Sequence, residues 1–314
     1  MHPHTHGAVD RSVFTSERGI WAVKVSFLGL ALTALVQIVV VAFSGSVALL
    51  ADTIHNLGDA ATAVPLWIAF RLVRRKPTPR FTYGYGRVED LAGVAIVCII
   101  LFSAFFAGYE SFNRLSNPRM VHHIWAVIVA SVIGFFGNEA VAIFRIKIGK
   151  EISSAALVAD GYHARVDGLT SLAVLFGAIG VWLGYPLADP IVGILITAAI
   201  LRIVWESGKT VFTRLLDGVD PDVTDEIKGT VKHTPGVEDV TEVRVRWLGH
   251  RLHGEINISV TPELSVEKGH EIAIEVERQL LNALPYLSYA TIHVDPVSAS
   301  GEAYHRIDGQ LINH

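Results

Sequence analysis

Long apolar runs separated by short charged segments fill the first two thirds of the chain. Each run is close to or above the roughly 20 residues that an α-helix needs to cross the hydrocarbon core of a bilayer. The pattern predicts six transmembrane helices, at residues 20–43, 47–72, 88–112, 122–145, 154–183 and 187–206. We therefore expect an all-α six-helix transmembrane bundle over residues 18–208, after a short N-terminal tail at 1–17.

The pattern changes after about residue 208, where apolar and polar residues alternate over short segments. The segments "VTEVRVRW", "GEINISV" and "ATIHV" alternate with the period of a half-buried strand. Between the second and third, "SVEKGHEIAIEVERQLLNAL" has apolar residues at helical spacing and Ser265 as an N-cap. With a shorter helix at 222–233, the order α-β-β-α-β predicts a two-layer, ferredoxin-like α+β domain over 209–298. We expect residues 299–314 to form a C-terminal tail.

Composition supports a membrane protein, since 51% of the residues are hydrophobic and only 18% are charged. Soluble domains average nearer a quarter charged. The net charge of −4 shows no basic excess, so we expect no nucleic-acid partner. Cys98 is the single cysteine, which excludes an intrachain disulfide or a thiolate cluster.

Basic residues are unevenly distributed among the predicted loops, and this asymmetry predicts the orientation. The segments around the second and fourth connections are the basic ones (Arg71, Arg74, Arg75, Lys76, Arg80, Arg87, Arg145, Lys147 and Lys150). Such loops face the cytoplasm. We therefore expect an integral protein of the bacterial inner membrane with both termini in the cytoplasm.

Two apolar segments carry the same arrangement of ionisable residues. "ALLADTIHNLGDA" and "ALVADGYHARVDG" share Ala-Leu-x-Ala-Asp-x-x-His-x-x-x-Asp, which pairs His55 with Asp59 and His163 with Asp167. Residues four apart lie on one face of a helix. Two such helices facing each other would supply two nitrogens and two oxygens, a set that suits tetrahedral Zn²⁺.

The energetic cost of these residues strengthens the metal-site interpretation. An Asp at the centre of a membrane helix costs about 2.5–3.5 kcal/mol on insertion scales, and such residues mark ion or proton paths. Asp52 and Asp160 lie one turn before the histidines. Each is either a partner that orients the imidazole of the histidine or part of the ion's route, or else a solvated carboxylate at a helix end. Arg165 lies on another face, with Glu139 or the acidic residues at the start of the third helix as ion-pair partners.

The segments "ADTIHNLGDA", "YGYGRVEDLAG", "ADGYHARVDGLTS" and "YPLADPIVG" resemble the signature segments of the cation diffusion facilitator family. The resemblance covers residues 18–298. It implies a homodimeric, zinc-exporting metal/proton antiporter embedded in the lipid membrane. It also implies that His55, Asp59, His163 and Asp167 form the transport site, because a His-Asp pair on both helices is the family's zinc-type pattern.

The resemblance also suggests a regulatory Zn²⁺ site in the C-terminal domain. His270, His293 and Asp295 match positions that bind metal in family members, but Thr241 and Asn257 stand where some members have His. The loop "RIKIGKEISS" also lacks the His-rich insertion of many members.

The remaining histidines have weaker functional interpretations. His2, His4 and His6 either collect metal loosely or belong to an exposed tail. His250 and His253 in "LGHRLHG" fall at a hairpin turn, where we expect them to be exposed.

Together, these observations predict a secondary active transporter that exports Zn²⁺ from the cytoplasm in exchange for protons, and not an enzyme. Efflux of Fe²⁺, Co²⁺, Cd²⁺ or Ni²⁺ by the same mechanism is an alternative, since selectivity depends on geometry and metal availability. A membrane-bound metallohydrolase is less favoured because His-Glu-x-x-His is absent. A metal sensor with a membrane anchor would leave the repeated carboxylates unexplained.

Overall fold

The computed structural model describes residues 11–44, 63–116, 124–185 and 187–299. The chain divides into two compact units, one over residues 13–215 and one that begins at Leu216.

The first unit is helical. Its helices are α1 (Arg11–Ser44), α2 (Ala63–Val73), α3 (Arg87–Ser116), α4 (Ile124–Glu151), α5 (Ala155–Trp182) and α6 (Ala188–Leu215). Among the described residues, five of these helices are long and apolar enough to cross a membrane. The other, α2, is a shorter apolar helix at the end of the predicted 47–72 span, whose earlier part lies outside the described residues. The count of six spanning helices therefore stays a prediction.

Several helices are longer than the apolar runs that predicted them. α4 continues to Glu151 and α6 to Leu215, whereas the predicted ends were 145 and 206. α1 begins at Arg11, within the predicted N-terminal tail. Hydropathy marks only the apolar part of a helix, while backbone hydrogen bonding continues through polar residues until a breaker stops it.

Helices α4 and α5 are adjacent in the sequence and pack very closely. The turn between them contains Ser153, whose φ of 57° reverses the chain direction. A Cβ on Gly161 would lie 2.9 Å from the backbone nitrogen of Ile146, and one on Gly149 would lie 2.9 Å from that of Val158. The two glycines allow a backbone approach that larger residues would prevent.

Two apolar clusters hold α5 against its other neighbours. The first contains residues from each of the helices α1 through α5, and it includes Phe70 and Leu157, both fully buried. The second joins α3, α5 and α6 through Ile100, Val166 and Ile200. α5 is thus packed on several sides, which places its central residues inside the unit.

The second unit is the predicted small α+β domain. Its elements are α7 (Pro221–Lys232), β1 (Asp239–Leu248), β2 (Arg251–Val260), α8 (Val266–Ala283) and β3 (Leu287–Pro296), followed by a short 3₁₀ turn. β1 pairs antiparallel with β2, and β2 pairs parallel with β3. The predicted order α-β-β-α-β and the single sheet are confirmed.

One face of this sheet packs against both helices of the domain. Alternate β2 residues, Leu252, Ile256 and Ile258, are buried together with Ile227 of α7 and Val276 of α8. Ser265 caps α8 as predicted, since its side chain accepts a hydrogen bond from the backbone N–H of Lys268.

Candidate functional site

The start of α5 is fixed by a buried serine. The Ser154 hydroxyl accepts a hydrogen bond from the backbone N–H of Leu157 and so caps the helix. It also donates a 2.5 Å hydrogen bond to Oε1 of Glu89 on α3. The preceding carbonyl, that of Ser153, accepts a hydrogen bond from Arg214 of α6. α5 therefore begins at a point tied to two other helices.

His163 and Asp167 lie side by side in the interior of α5. Nδ1 of His163 is 3.6 Å from Oδ2 of Asp167, and the side chains are only 2% and 7% exposed. The i, i+4 spacing thus gives the shared face that the sequence predicts. The predicted partners His55 and Asp59, and also Asp52, lie outside the described residues.

Asp160 is buried in an ion pair with an arginine of the neighbouring helix. Its Oδ2 lies 3.0 Å from Nη1 of Arg145 on α4, and the two side chains are 0% and 1% exposed. The alternative of a solvated carboxylate at a helix end is therefore wrong for Asp160. Arg145 corrects a second expectation, because it was counted among the loop cations and instead lies inside α4. Lys147 and Lys150, predicted in the same loop, also lie inside α4, but their side chains are exposed.

Other buried polar side chains on the same helices were missed by the sequence analysis. Asn138 of α4 lies next to Gly168, whose added Cβ would be 3.5 Å from the Asn138 Cβ. Gly134 of α4 lies close to both Gln37 of α1 and Ser171 of α5. All three polar side chains are buried. A polar residue inside an otherwise apolar run was the available signal.

Arg165 pairs with Glu139, as expected for a structural contact. Its guanidinium donates hydrogen bonds of 3.2 and 2.6 Å to the two carboxylate oxygens. Glu89 and Asp90, the other candidate partners, instead contact Ser154 and Arg87. Arg165 is two residues from His163 and thus on a different face of α5.

The candidate regulatory residues of the second unit are only partly brought together. Nε2 of His293 lies 2.8 Å from Oδ1 of Asp295 on β3, while His270 is exposed on α8. Within the described residues, no group of three or more His, Cys, Asp or Glu side chains could hold a metal ion.

The expectation that His250 and His253 are exposed is wrong, although His250 does lie in the turn between β1 and β2. His250 is buried, and His253 lies within β2 with its ring 5.7 Å from that of Tyr289. The connection between β1 and β2 consists of Gly249 and His250 alone, so His253 falls within β2. Burial, followed by the charges of Arg246 and Arg251, lowers the pKa of His253 to about 4. The histidines His2, His4 and His6 lie outside the described residues.

Family models match both units. The model of the cation efflux transmembrane domain matches residues 23–216, and that of the cation efflux protein cytoplasmic domain matches residues 219–297. The chain belongs to the cation diffusion facilitator family. The resemblance inferred from the repeated motif is thereby confirmed.

Relatives from distant organisms match the chain over most of their length. The chain is 54% identical over 297 residues to a probable cation efflux system protein of Mycobacterium tuberculosis, covering 94% of this chain and 90% of that one. It is 28% identical to the magnetosome protein MamB of Paramagnetospirillum magneticum, covering 82% and 87%. It is 26% identical to metal tolerance protein 2 of Oryza sativa, covering 80% and 72%.

Membership of this family decides between the classes of protein left open by the sequence. The chain is an integral membrane transporter of divalent cations. It is not an enzyme, so the metallohydrolase alternative is wrong. The interpretation as a metal sensor with a membrane anchor is also excluded.

Proposed function

We propose that this transporter exports Zn²⁺ from the cytoplasm in exchange for protons, through a site formed by His55, Asp59, His163 and Asp167. The observation that carries the proposal is the buried His163–Asp167 pair in the interior of α5. Because the motif around this pair repeats at His55 and Asp59, a second segment of the chain offers the same two donor types. The four donors would provide two imidazole nitrogens and two carboxylate oxygens, which suit a tetrahedral zinc ion.

Exchange with protons follows from the chemistry of these donors. Metal binding requires neutral imidazole and ionised carboxylate, so an arriving Zn²⁺ displaces protons and a departing one allows protons to return. Histidine, with an ordinary pKa near 6.5, is the side chain best suited to this exchange near neutral pH. Six spanning helices would make the two motif segments run in opposite directions, so that the site would open alternately to either side.

The membrane potential sets an energetic requirement on the exchange. Each inward proton charge gains about 2.3 kcal/mol at ~100 mV, while expelling a divalent ion costs about twice that amount. Exchange of one proton per Zn²⁺ therefore also needs a pH gradient, whereas exchange of two protons is electrically neutral.

The proposal includes the surroundings of the site. We place the protein in the bacterial inner membrane with both termini in the cytoplasm, which agrees with the match of residues 219–297 to a cytoplasmic domain. A homodimer and a regulatory Zn²⁺ bound through His270, His293 and Asp295 are part of the same proposal. The 2.8 Å contact between His293 and Asp295 supports the regulatory site, since it joins two donors on one strand.

Flux measurements test the proposal. The purified full chain is reconstituted into liposomes, and ⁶⁵Zn²⁺ uptake is measured under an imposed pH gradient. We expect uptake that depends on the gradient and that Fe²⁺, Co²⁺, Ni²⁺ and Cd²⁺ inhibit less than unlabelled Zn²⁺. Stronger inhibition by one of these ions would identify that ion as the substrate and overturn the zinc assignment. Uptake that does not change with the imposed pH gradient would overturn the proposal of proton exchange.

A further inference from the structure

Asp160 lies on the same face of α5 as the proposed zinc ligands. It precedes His163 by three residues and Asp167 by seven. At 3.6 residues per turn, these spacings keep the three side chains on one side of the helix, with Asp160 about 4.5 Å along the axis from His163. A third carboxylate is thus within one turn of the proposed site.

The charge of this carboxylate is neutralised by the neighbouring helix. Nη1 of Arg145 lies 3.0 Å from Oδ2 of Asp160, with both side chains fully enclosed. The two helices are in close contact here, since a Cβ on Gly161 would lie only 3.1 Å from the Cβ of Arg145. Arg145 therefore holds Asp160 in place across this close contact.

The hydrogen bonding of this ion pair is incomplete. Nε and Nη2 of Arg145 and both carboxylate oxygens of Asp160 are buried and have no hydrogen-bond partner among the described residues. Burying such an ion pair costs more than burying an apolar pair of the same volume. By contrast, the Arg165–Glu139 pair between the same two helices is doubly hydrogen-bonded and partly exposed. Stability alone does not explain the buried pair.

We infer that Arg145 is a specificity-determining residue that holds the Asp160 carboxylate away from the transported ion. This inference rests on the proposed function, because it takes His163 and Asp167 as ligands. With Asp160 neutralised, the site keeps two nitrogens and two carboxylates, the small tetrahedral set that zinc prefers. Without Arg145, the freed carboxylate adds hard oxygen donors and allows a higher coordination number. Such a site favours Mn²⁺ relative to Zn²⁺.

The test compares initial rates of Zn²⁺ and Mn²⁺ transport by the reconstituted full chain. In Arg145→Gln, the Zn²⁺/Mn²⁺ rate ratio should fall about tenfold or more, the lower end of the effect of changing a ligand's surroundings. In Arg145→Gln/Asp160→Asn, the ratio should return to that of the unchanged chain. Arg165→Gln is the matched control, since it breaks an arginine–carboxylate pair between the same helices on another face. It should leave the ratio unchanged.

Two outcomes would overturn the inference. One is an unchanged ratio in Arg145→Gln, and the other is a ratio that stays shifted in the double variant. If Arg145→Gln does not fold, Arg145→Met takes its place, because Met keeps much of the side-chain length without the charge. A folded Arg145→Met with an unchanged ratio contradicts the inference, and one with a lowered ratio supports it. His163→Ala separates this inference from the proposed function. If that variant still transports Zn²⁺, the proposed site is wrong; if it does not and Arg145→Gln keeps its ratio, only the inference about Arg145 fails.

Discussion

Nδ1 of His163 lies 3.6 Å from Oδ2 of Asp167, one helical turn further along α5, and both side chains are buried. This spacing is longer than a hydrogen bond, but it is short enough for both side chains to contact one ion. Asp167→Asn would remove the negative charge while keeping the shape. We expect a loss of about 10–100-fold in the apparent affinity for Zn²⁺, measured from the concentration dependence of ⁶⁵Zn²⁺ uptake.

Glu139→Gln is the control for the Asp167 prediction. It makes the same change of carboxylate to amide on the adjacent helix, at a residue whose partner is Arg165. Its apparent affinity for Zn²⁺ should stay within about threefold of the unchanged chain, well below the effect expected at a ligand. Equal losses in the two variants would mean that any buried or half-buried carboxylate in this region affects transport, and that Asp167 has no special role.

Ser154 joins the start of α5 to α3, so its hydroxyl should contribute to stability. Ser154→Ala removes the helix cap and the 2.5 Å hydrogen bond to Glu89. We expect the free energy of unfolding to fall by about 1–3 kcal/mol, because the helix loses its cap and the Glu89 carboxylate loses a hydrogen bond. Thermal unfolding of the full chain in detergent measures this loss. Ser154→Thr keeps a capping hydroxyl and should lose clearly less, whereas similar losses in both variants would contradict the role of the hydroxyl.

The close contact between α4 and α5 at Gly161 should be sensitive to one added methyl group. In Gly161→Ala, the new Cβ would lie 2.9 Å from the backbone nitrogen of Ile146, which cannot move without shifting α4. We expect the free energy of unfolding to fall by about 1–3 kcal/mol, as is typical of an overpacked core. Gly168→Ala on the same helix is the matched comparison, because its nearest contact would be an ordinary 3.5 Å. The melting temperature of Gly168→Ala should change little. If both variants lowered the melting temperature equally, the contact at Gly161 would not be unusually tight.

The sequence predicted those features that depend on local periodicity. Alternation along "VTEVRVRW" predicted β1, and helical spacing with Ser265 as a cap predicted α8. The i, i+4 spacing of His163 and Asp167 likewise placed them side by side. In each case the relevant neighbours lie within one or two turns, or on alternate residues of one strand, so the geometry follows from the sequence itself.

Features that depend on contacts between distant segments were not predictable in this way. Arg145 was assigned to a loop because a basic cluster usually ends a membrane helix. Its partner Asp160 lies 15 residues away on the next helix, and no local pattern reveals that contact. His250 was assigned to an exposed turn for a similar reason, since its burial depends on the packing of the whole domain.

His253 should make the stability of the second unit depend on pH. Burial, together with Arg246 and Arg251, lowers its pKa to about 4, below the ordinary value of about 6.5 for an unfolded histidine. As the pH falls below 6.5, the unfolded chain takes up this proton before the folded chain does. The contribution of the neutral imidazole is therefore complete above about pH 6.5 and is lost as the pH falls towards 4.

Hydrogen exchange of the β2 backbone amides in the full chain tests the role of His253. Opening free energies, corrected for the intrinsic rate at each pH, are compared at pH 7 and pH 5. His253→Gln cannot titrate, so its loss of protection between these two values should be smaller than that of the unchanged chain. An equal loss in both proteins would assign the pH dependence to other groups.

The most direct test of the account is a simultaneous measurement of Zn²⁺ and proton fluxes by the full chain in liposomes, with and without His163→Ala. A zinc-sensitive dye and a pH-sensitive dye report the two fluxes in the same vesicles. We expect the unchanged chain to move Zn²⁺ and protons in opposite directions, and His163→Ala to abolish both fluxes while remaining folded. Undiminished, proton-coupled Zn²⁺ transport by the folded His163→Ala variant would contradict the proposed transport site.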